Sequence, residues 1–256
     1  LTRSSDLSFK EQKINMAEVM FKHDATPNSA KLTVDYIVAK YMKSEALGML
    51  NSRLGEIVQQ PDCPFLQAQV SDGNYIFSKT KDALDMAVVP KEGQMNEALK
   101  RVFAEVRRAA EFGFTATEYG RSKANTLSGL DKSYSNKDKR YNSQFVNQYV
   151  NHFINNEPIP SIDDHYQMMK NLVPAIPLEG INEVMRQLVP QNDSNLVIIS
   201  FNQEKDDAVY PTEEGLLGAI RDARAEKLTA WVDNVKDEPL MTTLPTKGKI
   251  SKEEKL

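Results

Sequence analysis

The residue types that most readily do chemistry are sparse in this chain. It holds three histidines, His23, His152 and His165, and one cysteine, Cys63. No two histidines stand three or four residues apart, so no helix turn can present a pair to one metal ion. His-x-x-Glu-His and its reverse are both absent. Catalytic zinc ordinarily needs three protein ligands, so the histidines are expected to be surface or packed residues. Cys63 sits in Pro61-Asp62-Cys63-Pro64, a constrained turn with no adjacent cation to favour a thiolate. It reads as a packed loop cysteine. Asp163-Asp164-His165 follows Ser161 and reads as a capped helix start rather than a metal site. Gly-x-Ser-x-Gly, a phosphate-binding Walker loop and a dinucleotide glycine fingerprint are all missing. The expectation is a chain with no catalytic residue, no metal ligand and no cofactor of its own.

The bulk properties fit that picture. The 256 residues include 32 basic and 36 acidic side chains, a net charge of −4. Nucleic-acid binding needs a basic face that displaces counterions, and none is indicated. The basic stretch 132–140, which contains Tyr134, reads as a solvated helix end. No apolar run approaches the roughly 20 residues of a membrane-spanning helix, so no membrane span is expected. A lone cysteine excludes an intrachain disulfide. The first residues, LTRSSDLSF, lack the apolar core of a signal peptide. The first residue is not Met, which reads as a mature product or an excised piece.

Positioning elements follow from periodicity. Residues 14–22 alternate as a strand. A helix is expected from about 30 to 59, with Leu32, Ile37, Tyr41, Leu47, Leu50 and Leu54 as its stripe and Gly48 or Gly55 permitting close packing or a break. Residues 65–77 and 82–90 suit strands, with Ser71-Asp72-Gly73-Asn74 as a turn or bulge. Leu99, Val102, Phe103, Val106 and Ala110 mark an amphipathic helix over 97–111, which Gly113 stops. Thr115 or Thr117 opens the next helix, running to about 134. Helices follow at 141–156, 161–172 and 177–188. The apolar run 196–201 suits a buried strand, and Pro211-Thr212-Glu213-Glu214 starts a last helix. The order predicts an α+β unit, an antiparallel sheet covered on one face by the helices near 30–59, 97–111 and 115–134. Residues 1–234 are expected to form one domain. Residues 235–256, with Pro239, Pro245 and Gly248, read as a linker or disordered tail toward further domains.

Two stretches carry a resemblance. One runs from Glu105-Val106-Arg107-Arg108 through Phe112-Gly113-Phe114-Thr115 to Glu118 and Lys123. The other is Asn51-Ser52-Arg53-Leu54-Gly55-Glu56-Ile57, followed by Pro64-Phe65-Leu66-Gln67-Ala68. Together with the element order, they make the chain similar to a domain of the pitrilysin/insulinase family of zinc metallopeptidases. The resemblance implies a LuxS/processing-peptidase-like α+β fold, with Glu118 and Lys123 near the exposed side of their helix. In that family one domain supplies zinc through His-x-x-Glu-His and a distal Glu, and a partner half carries an Arg followed seven residues later by Tyr. This chain has neither pattern. It therefore resembles the inactive domain that directly follows the catalytic one, with zinc expected only in the catalytic domain of the parent polypeptide. The implied partners are that homologous domain and a peptide substrate, with Gln59, Gln60, Phe65 and Leu66 as candidate chamber or interface residues. For a bacterial source the expected location is the periplasm or cell envelope. The alternatives are a stand-alone scaffold subunit of the same fold and an unrelated α+β binding module.

Overall fold

The computed structural model describes residues 13–206, 208–235, 241, 243 and 248. Among these residues four strands form one sheet: β1 (Met16–Asp24), β2 (Phe65–Asn74), β3 (Lys81–Pro90) and β4 (Leu196–Phe201). Their order is β2-β3-β1-β4, and every neighbouring pair is antiparallel. Strand alternation gives the sheet two unlike faces. Ala17, Val19 and Phe21 stand in register with Val88, Met86 and Leu84 and belong to the core. Glu18, Met20 and Lys22 therefore turn to the opposite face.

Among the described residues eight α-helices follow one another: α1 (Asn28–Lys31), α2 (Val34–Val58), α3 (Met95–Phe112), α4 (Ala116–Ser135), α5 (Asn142–Asn155), α6 (Ile162–Ala175), α7 (Leu178–Leu188) and α8 (Glu213–Ala225). The Thr33 hydroxyl caps α2 by accepting from the Tyr36 N–H at 3.2 Å. Leu47, Leu50, Leu54 and Ile57 recur at three- and four-residue spacing and are buried. Each such side chain contributes about 1.5–3 kcal/mol. Leu32, expected in that stripe, precedes the helix and is exposed. Gly48 and Gly55 neither break α2 nor permit a close approach, since nothing lies near the position of their missing Cβ. Helices α2 and α3 lie on the sheet, α8 packs on α3, and α7 bridges α2 and α3. This is the expected α+β architecture.

Several details depart from expectation. The helix expected at 115–134 forms as α4, but in an outer layer against α2 and α6 rather than on the sheet. Ser71-Asp72-Gly73-Asn74 is not a turn. It continues β2, with Ser71 opposite Asp85 and Asn74 opposite Asp82. Its polar residues look like turn chemistry, yet the Asp72 side chain is fully buried between His23 and Lys43. The reversal comes in residues 75–80, where Ile76 adopts φ 51°. The run 196–201 is a half-buried edge strand rather than a buried one, and only Leu196 and Ile198 pack against the core. The last helix starts where expected, with Thr212 capping α8 by accepting from the Gly215 N–H at 3.1 Å.

The helices after residue 140 also differ among themselves. Met169, Val173, Ile181, Met185 and Ile220 join the core, whereas α5 buries no residue and Phe153 is 85% exposed. Polar contacts tether it instead: Lys31 Nζ donates to the Asn155 carbonyl at 2.8 Å, and the Tyr36 hydroxyl to Glu157 at 2.6 Å. Of the expected tail at 235–256, only 235, 241, 243 and 248 fall within the described residues. Among the described residues no helix is long and apolar enough to cross a membrane.

Candidate functional site

The two stretches singled out in the sequence meet inside the molecule. Arg53 projects from α2 and is 1% exposed. Its Nε donates to Glu118 Oε1 at 2.7 Å and its Nη2 to Glu118 Oε2 at 2.9 Å, a two-pronged pair. Nη2 also donates to the Gly113 carbonyl at 2.9 Å. The guanidinium lies 4.7 Å from the Phe114 ring centre and 5.3 Å from that of Trp231. Glu118 closes a capping box with Thr115, whose N–H donates to its carboxylate at 2.8 Å. Burial pushes the Glu118 carboxyl up, but the hydrogen bonds from Arg53 and Thr115 outweigh it and hold the group below its ordinary value. Glu118 is thus buried, not near the exposed side of its helix as expected. Lys123 reaches the Ile176 carbonyl at 3.2 Å. Gly113 has φ 73°, and a Cβ there would meet the Asn182 amide at 2.7 Å. The junction joins α2 to the start of α4, although Arg53 Nη1 is buried without a hydrogen-bond partner.

The histidines do not converge on a zinc site. His23 on β1 has Nε2 at 2.7 Å from Asp72 and Nδ1 at 3.1 Å from the Asp24 carbonyl, so both ring nitrogens are engaged. His152 on α5 holds the Glu157 carbonyl at 2.7 Å through Nδ1. His165 is half-buried on α6, and burial lowers its pKa. Among the described residues no group of three or more His, Cys, Asp or Glu side chains could hold a metal ion. The residues present do not fit the zinc of the resembled family. Asp163-Asp164-His165 is a capped helix start: Ser161 accepts from the Asp164 N–H at 3.0 Å. Cys63 is buried and its Sγ lies 3.3 Å from the Phe65 carbonyl, a packed loop residue.

The four candidate surface residues divide. Gln59 and Gln60 are exposed where α2 ends. Phe65 is wholly buried in the core. Leu66 is 61% exposed, because a bulge leaves it unpaired while Phe65 and Gln67 take Pro90 and Val89 as neighbours. A depression of about 580 Å³ opens beside this segment, lined by residues that include Asp62, Glu97, Lys100, Arg101 and Glu226. Its two basic residues are paired: Lys100 lies 3.6 Å from Glu226, and Arg101 lies 3.6 Å from Glu105, which is outside the lining.

The face of the sheet turned away from α2 and α3 is different. In its middle, Glu18 of β1 stands beside Ala87 of β3 and Ile199 of β4. One step along, Met20 stands beside Asp85 and Val197, with Ser71 of β2 beyond Asp85. Met16 and Phe201 are neighbours at one end, and Lys22 lies beside Ala83 at the other. Neither Glu18 nor Asp85 has a hydrogen-bond or ion-pair partner among the described residues, and Asp85 Oδ1 is buried without one. Burial, assisted by the charge of Glu18, pushes the Asp85 carboxyl up to about 6. Lys22 does not answer it, since its ammonium sits 5.3 Å from the Tyr75 ring centre. Sequence reasoning missed this pair. The available signal was an acid at each of two strand positions otherwise flanked by Met, Ala and Val.

Comparison with known proteins places the architecture. No family model matches the sequence. A zinc protease PQQL-like protein of Arabidopsis thaliana is 22% identical over 246 residues, 95% of this chain and 22% of that protein. The periplasmic protease PqqL of Escherichia coli superposes with a TM-score of 0.73 at 18% identity, over 91% of this chain and 25% of that one. The structure of the first half of the same protease gives a TM-score of 0.71 at 18% identity, over 88% of this chain and 47% of that one. The chain therefore has a pitrilysin/insulinase-type fold, and it spans about a quarter of the length of the full proteins it resembles.

Proposed function

We propose that this chain is a non-catalytic domain of a larger zinc metallopeptidase, where it packs beside a homologous zinc-bearing domain and helps to enclose an unfolded peptide. One observation carries the reading. A protease-type fold here combines three scattered histidines, two of them hydrogen-bonded within the chain, with a sheet face turned away from α2 and α3. The chemistry belongs to a neighbour, and this chain contributes surface. Gln59, Gln60 and Leu66 lie on the candidate contact surface, while Phe65 supports them from the core. The likeness to a periplasmic protease supports an extracytoplasmic location for the parent protein.

The test is association with the domain carrying His-x-x-Glu-His in the same parent polypeptide, measured by calorimetry. Binding with a dissociation constant at or below about 100 μM, worth about −5.5 kcal/mol, is expected. No heat at that concentration rejects the enclosure reading in favour of an independent module.

A further inference from the structure

We propose that the outward face of α5 is the docking surface for the neighbouring zinc-bearing domain of the parent polypeptide. The inference rests on the enclosure reading and assigns that contact to a particular helix.

Helix α5 is inside out. Its half-buried positions are Phe145, Gln148, His152 and Asn155, three of them polar. The opposite stripe, Val146, Tyr149, Val150 and Phe153, recurs at three- and four-residue spacing and is exposed throughout. Polar groups do the anchoring. Lys79 Nζ donates to Asn155 Oδ1 at 3.2 Å, beside the Lys31 bond to the carbonyl of the same residue. Those contacts bring the turn after β2 and the end of α1 to the end of α5. Phe77 in that turn is 95% exposed, and Leu32, next to Lys31, is exposed as well, so both extend the apolar surface.

Charge gives a second sign. Residues 142–155 contain no Asp, Glu, Lys or Arg, in a chain where such residues make up 27%. A helix that faces water permanently carries its polar and charged residues on the outer side. Loss of charge together with exposed aromatic rings marks the core of an interface instead. A helix of 14 residues is also marginal without packing, so cover on this face stabilises it.

Area decides the kind of partner. A helix of this length is about 21 Å long and about 10 Å across, so its outer face offers on the order of 400 Å². A lasting contact between free molecules takes about 800 Å² a side, so a second copy or a diffusing protein is held poorly here. A tether removes that requirement, because it sets the effective concentration of a neighbour near millimolar. The chain spans about a quarter of the length of the full proteins it resembles, which favours a neighbour on the same polypeptide.

Hydrogen exchange on the full chain, with and without the His-x-x-Glu-His domain of the parent at about 1 mM, tests this. The α5 amides should exchange at least about fivefold more slowly when the domain is present. In the double variant Val150→Gln, Phe153→Gln, which alters two exposed positions, that slowing should vanish while the thermal midpoint stays in place. Slowing that survives in the double variant, or calorimetric binding with no slowing at α5, overturns the docking face and leaves the enclosure reading standing. Slowing that grows with the concentration of this chain alone assigns the face to a second copy and also overturns it. If the domain does not bind at all, both readings fall.

Discussion

Glu118 and Asp85 are acids withdrawn from water and treated in opposite ways. Glu118 has gathered Arg53, the Thr115 backbone and a helix start, and burial is outweighed. Asp85 has no partner among the described residues, and burial with Glu18 for a neighbour lifts its pKa. In the first region the acid is fully answered, even though Arg53 Nη1 is left without a partner. The second is incomplete, and its deficit has a definite sign. The contrast separates an acid that other elements of the fold have paired from one that has no partner among the described residues.

Breaking the completed region should have the largest effect. Glu118→Gln strands the buried Arg53 charge and should cost about 3–5 kcal/mol, read as a lower urea midpoint. Replacing both partners, Arg53→Met with Glu118→Leu, should recover most of that loss, because the stranded charge rather than the missing bond is the main cost. Gly113→Ala should cost roughly 1–3 kcal/mol through the positive φ and the crowding at Asn182.

Much of this junction could be read from the sequence, and some of it could not. Gly113 and Thr115-x-x-Glu118 are local signals, a stop and a capping box, and they fall where expected. The partner of Glu118 was not legible. Arg53 lies 65 residues away, and nothing in local periodicity joins an arginine on one helix to a glutamate on another. The same limit explains Asp72, which reads as turn chemistry until His23 and Lys43 arrive from other elements. It also explains the second face of the sheet. Alternation says that Glu18 and Asp85 point away from the core, but only the β1–β3 register makes them neighbours. Burial of Phe65 was hidden by an alternation that the bulge at Leu66 resets.

The incomplete region should respond with the opposite sign. The folded value for Asp85, about 6, lies above the ordinary 3.8, so the folded chain holds this proton more tightly than the unfolded one. Stability contributed by the protonated form is present below pH 3.8 and is lost as pH rises toward 6. Asp85→Asn should therefore leave stability unchanged at pH 3.5 and raise it at pH 8, by about 1 kcal/mol or less after solvent screening. Denaturation curves at the two pH values check this, and a variant less stable at pH 8 would mean that Asp85 is a structural group like Glu118.

The smallest effect belongs to the His23–Asp72–Lys43 cluster, which sharpens the comparison from the satisfied side. The Asp72 hydrogen bond raises the His23 pKa above 6.5. Burial works to raise Asp72, but hydrogen bonds from His23 and Lys43 prevail and lower it from 3.8. The His23 contribution is whole below pH 6.5 and fades as pH climbs through its raised value. The Asp72 contribution is whole above pH 3.8 and fades as pH falls through its lowered value. Both act together between those limits. His23→Gln should remove the loss on the alkaline side, about half a kcal/mol, and leave the acid side in place.

The central claim is that this chain contributes surface and its neighbour contributes chemistry. The most direct measurement takes the purified chain alone, soaks it in zinc, dialyses it, and assays both metal content and cleavage of an unstructured peptide. The account predicts no stoichiometric zinc and no cleavage. One tightly held zinc per chain together with peptide turnover would contradict it.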